Sequence, residues 1–265
     1  TTISLKYSLT LFSVIEFIIL LILTSVLLRI ILSIVVCILF SSMFFPFIFW
    51  YSITQFYIKV NIFPIIIEVI FIISCFIVPR EYFIYTNFFF YLILAIFFWY
   101  RNDFSLKEWL YNLKSGKEFW KQVVLTAVGF IGAFIITMVL ESIFADLNTG
   151  MIGLRRNSWI SLILFAISTI VLPPIVEEIF FRKNMISFEN KAVLIITSLL
   201  GMFLYAFEHS LAVWGILLTM IWALPLSISY IKTKNVYVPM TAHFIGNLFG
   251  NGIDVVFTVI AMFSK

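Results

Sequence analysis

Apolar residues come along the chain in long runs, interrupted by short charged or proline-containing breaks, near residues 7–28, 30–57, 62–78, 83–100, 122–144, 158–187, 193–209, 213–231 and 237–260. None of these runs alternates strictly, as a half-buried strand would. Each is long enough for a helix, which closes its own backbone hydrogen bonds in lipid. The pattern predicts an all-α fold, a polytopic transmembrane helix bundle of about eight or nine spans. One segment breaks the rule. Between Asp103 and Lys121, Phe104, Leu106, Trp109, Leu110, Leu113, Phe119 and Trp120 interleave with Lys107, Glu108, Lys114, Lys117 and Glu118. This spacing predicts one amphipathic helix lying in the membrane interface.

Composition removes the soluble alternative. With 63% hydrophobic residues, 32 phenylalanines and 11% charged residues, at a mean hydropathy of +1.14, the chain falls far below the charged fraction of about a quarter that a soluble domain carries. Residues 1–265 read as a single membrane domain, with accessory spans and the amphipathic helix in 1–121 and the core helices in 122–260. Cys37 and Cys75 lie in apolar runs and behave as small hydrophobes, which excludes a disulfide framework or a zinc ribbon. The first run, near Tyr7–Leu28, is longer than a signal-peptide core and lacks an Ala-x-Ala-like cleavage site, so it is expected to stay as an anchor.

If all nine runs cross, Arg29, Arg80, Arg155, Arg156 and Lys265 fall on one side, and the other 12 of the 17 basic residues fall on the side of the N-terminus and residues 101–121. That side is expected to be cytoplasmic. The formal net charge of +4 then reports topology rather than nucleic-acid binding.

An ionisable group inside an apolar run needs a reason, because burying it unpaired costs roughly several kcal/mol. Glu177 and Glu178 stand together in such a run. On a helix Glu178 and Arg182 share a face and can pair, which leaves Glu177 about 100° away and free to act. A carboxylate there can accept a proton from water. Alternatively, these charges end a transmembrane helix at the interface. Pro173-Pro174 just upstream removes two backbone donors and is expected to kink the helix and admit water, although such kinks also serve packing. Tyr205 precedes His209 by four residues, so its ring can lie on the imidazole; the plainer reading is an interfacial histidine, with Glu208 hydrating the end of the span. His243 and Asn247, again four apart, can aim two donors at a developing oxyanion or act as an interhelical hydrogen-bonding pair.

Taken in order, acid-acid-x-x-x-Arg, aromatic-x-x-x-His and His-x-x-x-Asn on three late hydrophobic segments resemble the CPBP family of intramembrane proteases. That family includes the type II CAAX prenyl endopeptidases and the bacterial Abi proteins. The resemblance covers roughly residues 120–250. It departs at Tyr205, where the family usually has Phe. It implies that Glu177 and His209 activate a water that attacks the scissile carbonyl, that His243 and Asn247 bind the oxyanion, and that Glu178 and Arg182 form the ion pair holding Glu177. No cofactor or metal is implied. No His-Glu-x-x-His motif occurs, and a glutamate with two histidines remains the one conceivable zinc set.

The implied function is a glutamate-dependent intramembrane endopeptidase acting on lipid-modified, CAAX-type prenylated or membrane-embedded peptides. Its partners are then a lipophilic peptide or protein substrate and membrane lipid. A non-catalytic membrane scaffold of the same fold is an alternative, marked by loss of the glutamate or a histidine, and neither is lost. A proton- or ion-coupled transporter is another, but no inverted repeat is visible. With a hairpin turning near Glu189-Asn190-Lys191, Glu177 and His209 would lie about 18 and 27 Å deep, and His243 about 12 Å deep. Meeting at one point requires tilt, kinks at the prolines or Pro225, or loops at different heights.

Overall fold

The computed structural model describes residues 62–264. The runs 7–28 and 30–57, with the expected N-terminal anchor, lie outside the described residues. Eight helices follow, which we number α1 Ile62–Ile77, α2 Phe83–Tyr100, α3 Leu106–Leu113, α4 Lys117–Ile143, α5 Trp159–Asn184, α6 Lys191–Phe207, α7 Val213–Thr233 and α8 Tyr237–Phe263. The described residues contain no strand, only an isolated antiparallel bridge between Met151 and Ser210. With a preceding turn at Arg80–Tyr82, α2 joins α4, α5, α7 and α8 as helices long and apolar enough to cross a bilayer, while α1 and α6 are shorter apolar helices. The chain is a multi-pass integral membrane protein.

Helix ends follow local chemistry. Ser158 and Ser161 cap the start of α5 reciprocally, as a capping box does. The Asn190 side chain accepts from the Val193 amide at the start of α6, so the predicted α5–α6 hairpin turns at 185–190. Residues 103–121, however, do not form one helix. Gly116 has φ +98°, a conformation that glycine alone adopts without strain. It separates α3 from α4, and Lys117, Glu118, Phe119 and Trp120 become the first turn of a long membrane helix instead. The alternation misled because an amphipathic helix and the polar first turn of a span read alike.

Helix α3 is tied to the start of α8. The Trp109 indole donates to Thr241 Oγ1 at 2.8 Å, the Tyr237 hydroxyl to Glu108 Oε2 at 2.9 Å, and the Asn235 amide to Asn112 Oδ1 at 2.6 Å. Its other face leaves Leu106, Leu110 and Tyr111 exposed.

The bundle is built around α5, which packs on α2, α6 and α8, while α7 fills the angle between α4, α6 and α8. Apolar residues such as Val124, Val128, Ile131 and Ile135 on α4 and Ile253, Phe257 and Ile260 on α8 face outward, the arrangement expected where lipid is the solvent. The prolines do not interrupt α5. Wider π-type turns at Ile167–Val171 and Glu178–Asn184 flank Pro173-Pro174, and such turns absorb the backbone misfit that missing donors leave.

Close approach of two elements is carried by glycine. A Cβ on Gly201 would press on the Phe181 carbonyl, and one on Gly215 would collide with the Thr149 carbonyl and the Ser210 hydroxyl. A Cβ on Gly132 would meet open space. Gly215→Ala is therefore expected to lower stability by about 1–3 kcal/mol through overpacking. Gly132→Ala should leave it unchanged or raise it by about 0.5–1 kcal/mol. Unfolding of the two purified variants in detergent micelles distinguishes them.

Candidate active site

Glu177, Glu178 and Arg182 are completely buried, with no exposure at all. Arg182 falls in the last turn of α5, yet none of the three forms a solvated helix end. Arg182 Nη1 lies 3.3 Å from Glu178 Oε1, its Nη2 donates to the Ala223 carbonyl of α7, and its guanidinium lies over the Tyr205 ring at 4.8 Å. His243 Nδ1 is 2.8 Å from Glu178 Oε1. With Glu178 already paired to a cation, the carboxylate accepts and Nδ1–H donates. The ion pair expected to hold Glu177 thus holds His243 instead. The two glutamates point apart, so each has a different partner.

Glu177 is held from another helix. The hydroxyl oxygen of Tyr91, on α2, is 2.5 Å from Glu177 Oε1 and 3.0 Å from Glu208 Oε2. Glu177 Oε2 faces His243 Nε2 at 3.8 Å. Sequence reasoning missed Tyr91, since one tyrosine among 11 carries no spacing signal. It also placed Glu208 at a hydrated helix end, yet Glu208 is 5% exposed. Glu68 was missed with a signal available: it is the only charged residue of the run 62–78, and it is buried beside Glu208.

His209 stands in the turn just past α6. Its Nδ1 is 2.9 Å from the Tyr205 carbonyl, which can only accept, so Nδ1 carries a hydrogen and the neutral ring keeps a free lone pair on Nε2. The imidazole lies against Tyr205, ring centroids 4.6 Å apart. The turn itself is clamped by the loop before α5: the Ile152 amide donates to the His209 carbonyl, the Leu211 amide to the Gly150 carbonyl, and the Ser210 hydroxyl to the Thr149 carbonyl.

A cavity of about 700 Å³ joins these groups. Glu177, Tyr205, His209, His243 and Asn247 line it, while Glu178 and Arg182 stand behind its wall. The unequal depths computed for Glu177, His209 and His243 assumed straight, equally placed helices. The π turns of α5, the shortness of α6 and the position of His209 beyond a helix end remove that assumption. Phe130, Phe134 and Trp222 supply an apolar flank to the same cavity. Among the described residues no three His, Cys, Asp or Glu side chains converge as a metal-ligand set.

All six motif residues, on α5, the turn after α6, and α8, fall within one comparison. Residues 157–249 match the family described as type II CAAX prenyl endopeptidase Rce1-like. The matched stretch begins at the cap of α5 and ends within α8, so it excludes α4, whose Phe130 and Phe134 flank the cavity, and α2, which carries Tyr91. No curated protein and no solved structure matches the chain.

The buried ion pair makes a direct prediction. Arg182→Leu strands the Glu178 carboxylate in a dry interior and should cost about 3–5 kcal/mol, whereas Glu178→Gln with Arg182→Leu should recover a large part of that loss. Unfolding of the single and double variants in mixed micelles measures the coupling; strictly additive losses would contradict it.

Proposed function

We propose that the chain is an intramembrane endopeptidase in which Glu177 and His209 activate a water, and that it cleaves lipid-modified, CAAX-type prenylated or membrane-embedded peptides. The observation that carries this reading is the single cavity onto which Glu177, His209, His243 and Asn247 all open, in a region matching a prenyl endopeptidase family. A water between Glu177 and the free Nε2 of His209 gives one of its protons to the carboxylate as its oxygen attacks the scissile carbonyl. The carbonyl oxygen becomes an oxyanion, to which Asn247 donates from its amide. His243 contributes Nε2–H in its doubly protonated form, its Nδ1–H being given to Glu178. Collapse of the tetrahedral intermediate expels the amine, which takes the proton held by Glu177.

The apolar flank of the cavity suits a substrate that is lipophilic beside an extended backbone. A prenylated C-terminal tail has both properties. No step in this scheme calls for a metal.

The bilayer arrangement completes the proposal. About eight or nine spans cross, the N-terminus and residues 101–121 face the cytoplasm, and α3 lies in the interface with Leu106, Leu110 and Tyr111 toward the headgroups. Arg182 drops out of the charge argument, since it is a buried partner of Glu178 and not a loop residue.

Glu177→Ala should abolish cleavage of a quenched fluorescent prenylated peptide by the purified chain while leaving its fold intact, and wild-type cleavage should persist in strong chelator. Residual cleavage in the variant, or chelator inhibition reversed only by zinc, sinks the corresponding step. For orientation, a cysteine introduced beside Lys114 is expected to resist an impermeant thiol reagent applied from outside the cell. Ready labelling inverts the topology.

A further inference from the structure

The mechanism above uses Glu177 as a carboxylate but leaves three buried groups beside it unexplained. Tyr91, on α2, bridges Glu177 and Glu208, and the far side of Glu208 meets Glu68, on α1. All three are buried. Neither Glu68 oxygen has a hydrogen-bond donor of its own among the described residues, and Glu208 Oε1 has none either.

Hydrogen counting gives this chain a direction. A phenol has a single O–H, so Tyr91 can donate to one of its two carboxyl neighbours and must accept from the other. The shorter contact, 2.5 Å to Glu177 against 3.0 Å to Glu208, has the length of a bond from a hydroxyl to a charged oxygen. Tyr91 therefore donates to Glu177, and Glu208 must carry a proton on Oε2 to donate to Tyr91. With the single Glu208 proton so used, the contact between Glu208 and Glu68 is a hydrogen bond only if Glu68 is protonated as well. Two protons, on Glu68 and Glu208, satisfy the Glu68–Glu208, Glu208–Tyr91 and Tyr91–Glu177 contacts, and the negative charge is left on Glu177.

We infer that Glu68, Glu208 and Tyr91 form a one-way hydrogen-bond relay of positioning residues that aims the Glu177 carboxylate into the cavity and keeps it the charged member of the group. This assignment rests on the proposed role of Glu177. Tyr91 and Glu208 border the cavity beside Glu177, whereas Glu68 stands behind them, and the role assigned to all three is to orient that carboxylate. His243 and His209 bear on the catalytic geometry from other directions, and Glu178 is occupied by Arg182 and His243, so the support of Glu177 comes from Tyr91 and from Glu208 beside it.

Steady-state cleavage of the farnesylated fluorescent peptide by full-length protein in lipid nanodiscs tests the assignment. Tyr91→Phe keeps the ring and removes the hydroxyl, and Glu208→Leu removes the donor. Each should lower kcat by roughly 10–100-fold, the usual range for partners that orient a functional group, with KM unchanged. Glu208→Gln keeps a donor facing Tyr91 and should restore a kcat close to that of wild type, a rescue that simple packing loss does not give. Infrared spectra at neutral pH should show two protonated buried carboxyl groups, one lost in Glu68→Gln and the other in Glu208→Gln. Wild-type kcat in Tyr91→Phe, a Gln variant at position 208 as impaired as Leu, or no loss of carboxyl bands overturns the relay. If the wild-type chain leaves the peptide intact, the protease reading fails instead, and the infrared bands still decide the relay.

Discussion

One guanidinium organises the core of this bundle. Arg182 arises from α5, pairs with Glu178 one turn earlier, donates to a carbonyl of α7, and lies across a tyrosine of α6, while Glu178 receives His243 from α8. Four helices thus share one buried charge cluster. In a low-dielectric interior the energy of such a charge depends steeply on its partners' positions. A shift of any of the four helices leaves a charged group undersolvated. Apolar packing among helices, by contrast, tolerates small slips, since lipid is as apolar as the side chains it replaces.

This division of labour explains why adjacent glutamates are useful. Glu178 is turned inward and consumed by structure. Glu177, one residue earlier and rotated about 100° around the helix axis, looks into the cavity and needs support of its own. That support comes from Tyr91 on α2. The same separation fixes the histidines: His243 is oriented through its Nδ1 by Glu178, and His209 through its Nδ1 by a backbone carbonyl. Each ring keeps its Nε2 on the side away from its anchor. Different second partners give two chemically identical side chains different surroundings around one cavity.

Much of this was legible from residues alone, for reasons that can be named. Seven apolar runs became seven helices with ends shifted by a few residues, because in lipid nothing but a helix satisfies the backbone of such a run. The Glu178–Arg182 and Tyr205–His209 contacts were readable because both are four-residue spacings on or beside one helix. What failed was whatever depended on the third dimension. The amphipathic stretch 103–121 broke at Gly116 because backbone sign leaves no trace in an apolar–polar pattern. The role given to Glu178 went to the wrong partner, since a spacing fixes which residues share a face and says nothing of the neighbouring helix. Tyr91 was invisible for the same reason, whereas Glu68 was merely overlooked: a lone carboxylate in an apolar run is the kind of residue that demands a partner.

The boundary of the family match, 157–249, bears on how the site is completed. It encloses the ion pair, both histidines and Asn247, which are the groups that short spacings within three segments can specify. It also encloses Glu208, but the two groups that reach Glu208 and Glu177 from outside, Tyr91 and Glu68, lie on α2 and α1. Within the matched stretch alone, Glu177 would keep His243 at 3.8 Å but lose the Tyr91 hydroxyl that donates to its other oxygen. A buried carboxylate in that condition is costly and poorly oriented. The helices before residue 157 therefore do more than cover the core from lipid. They supply the polar groups that let an acid remain buried at the cavity wall, so the matched region reads as an incomplete site until α1 and α2 are packed against it.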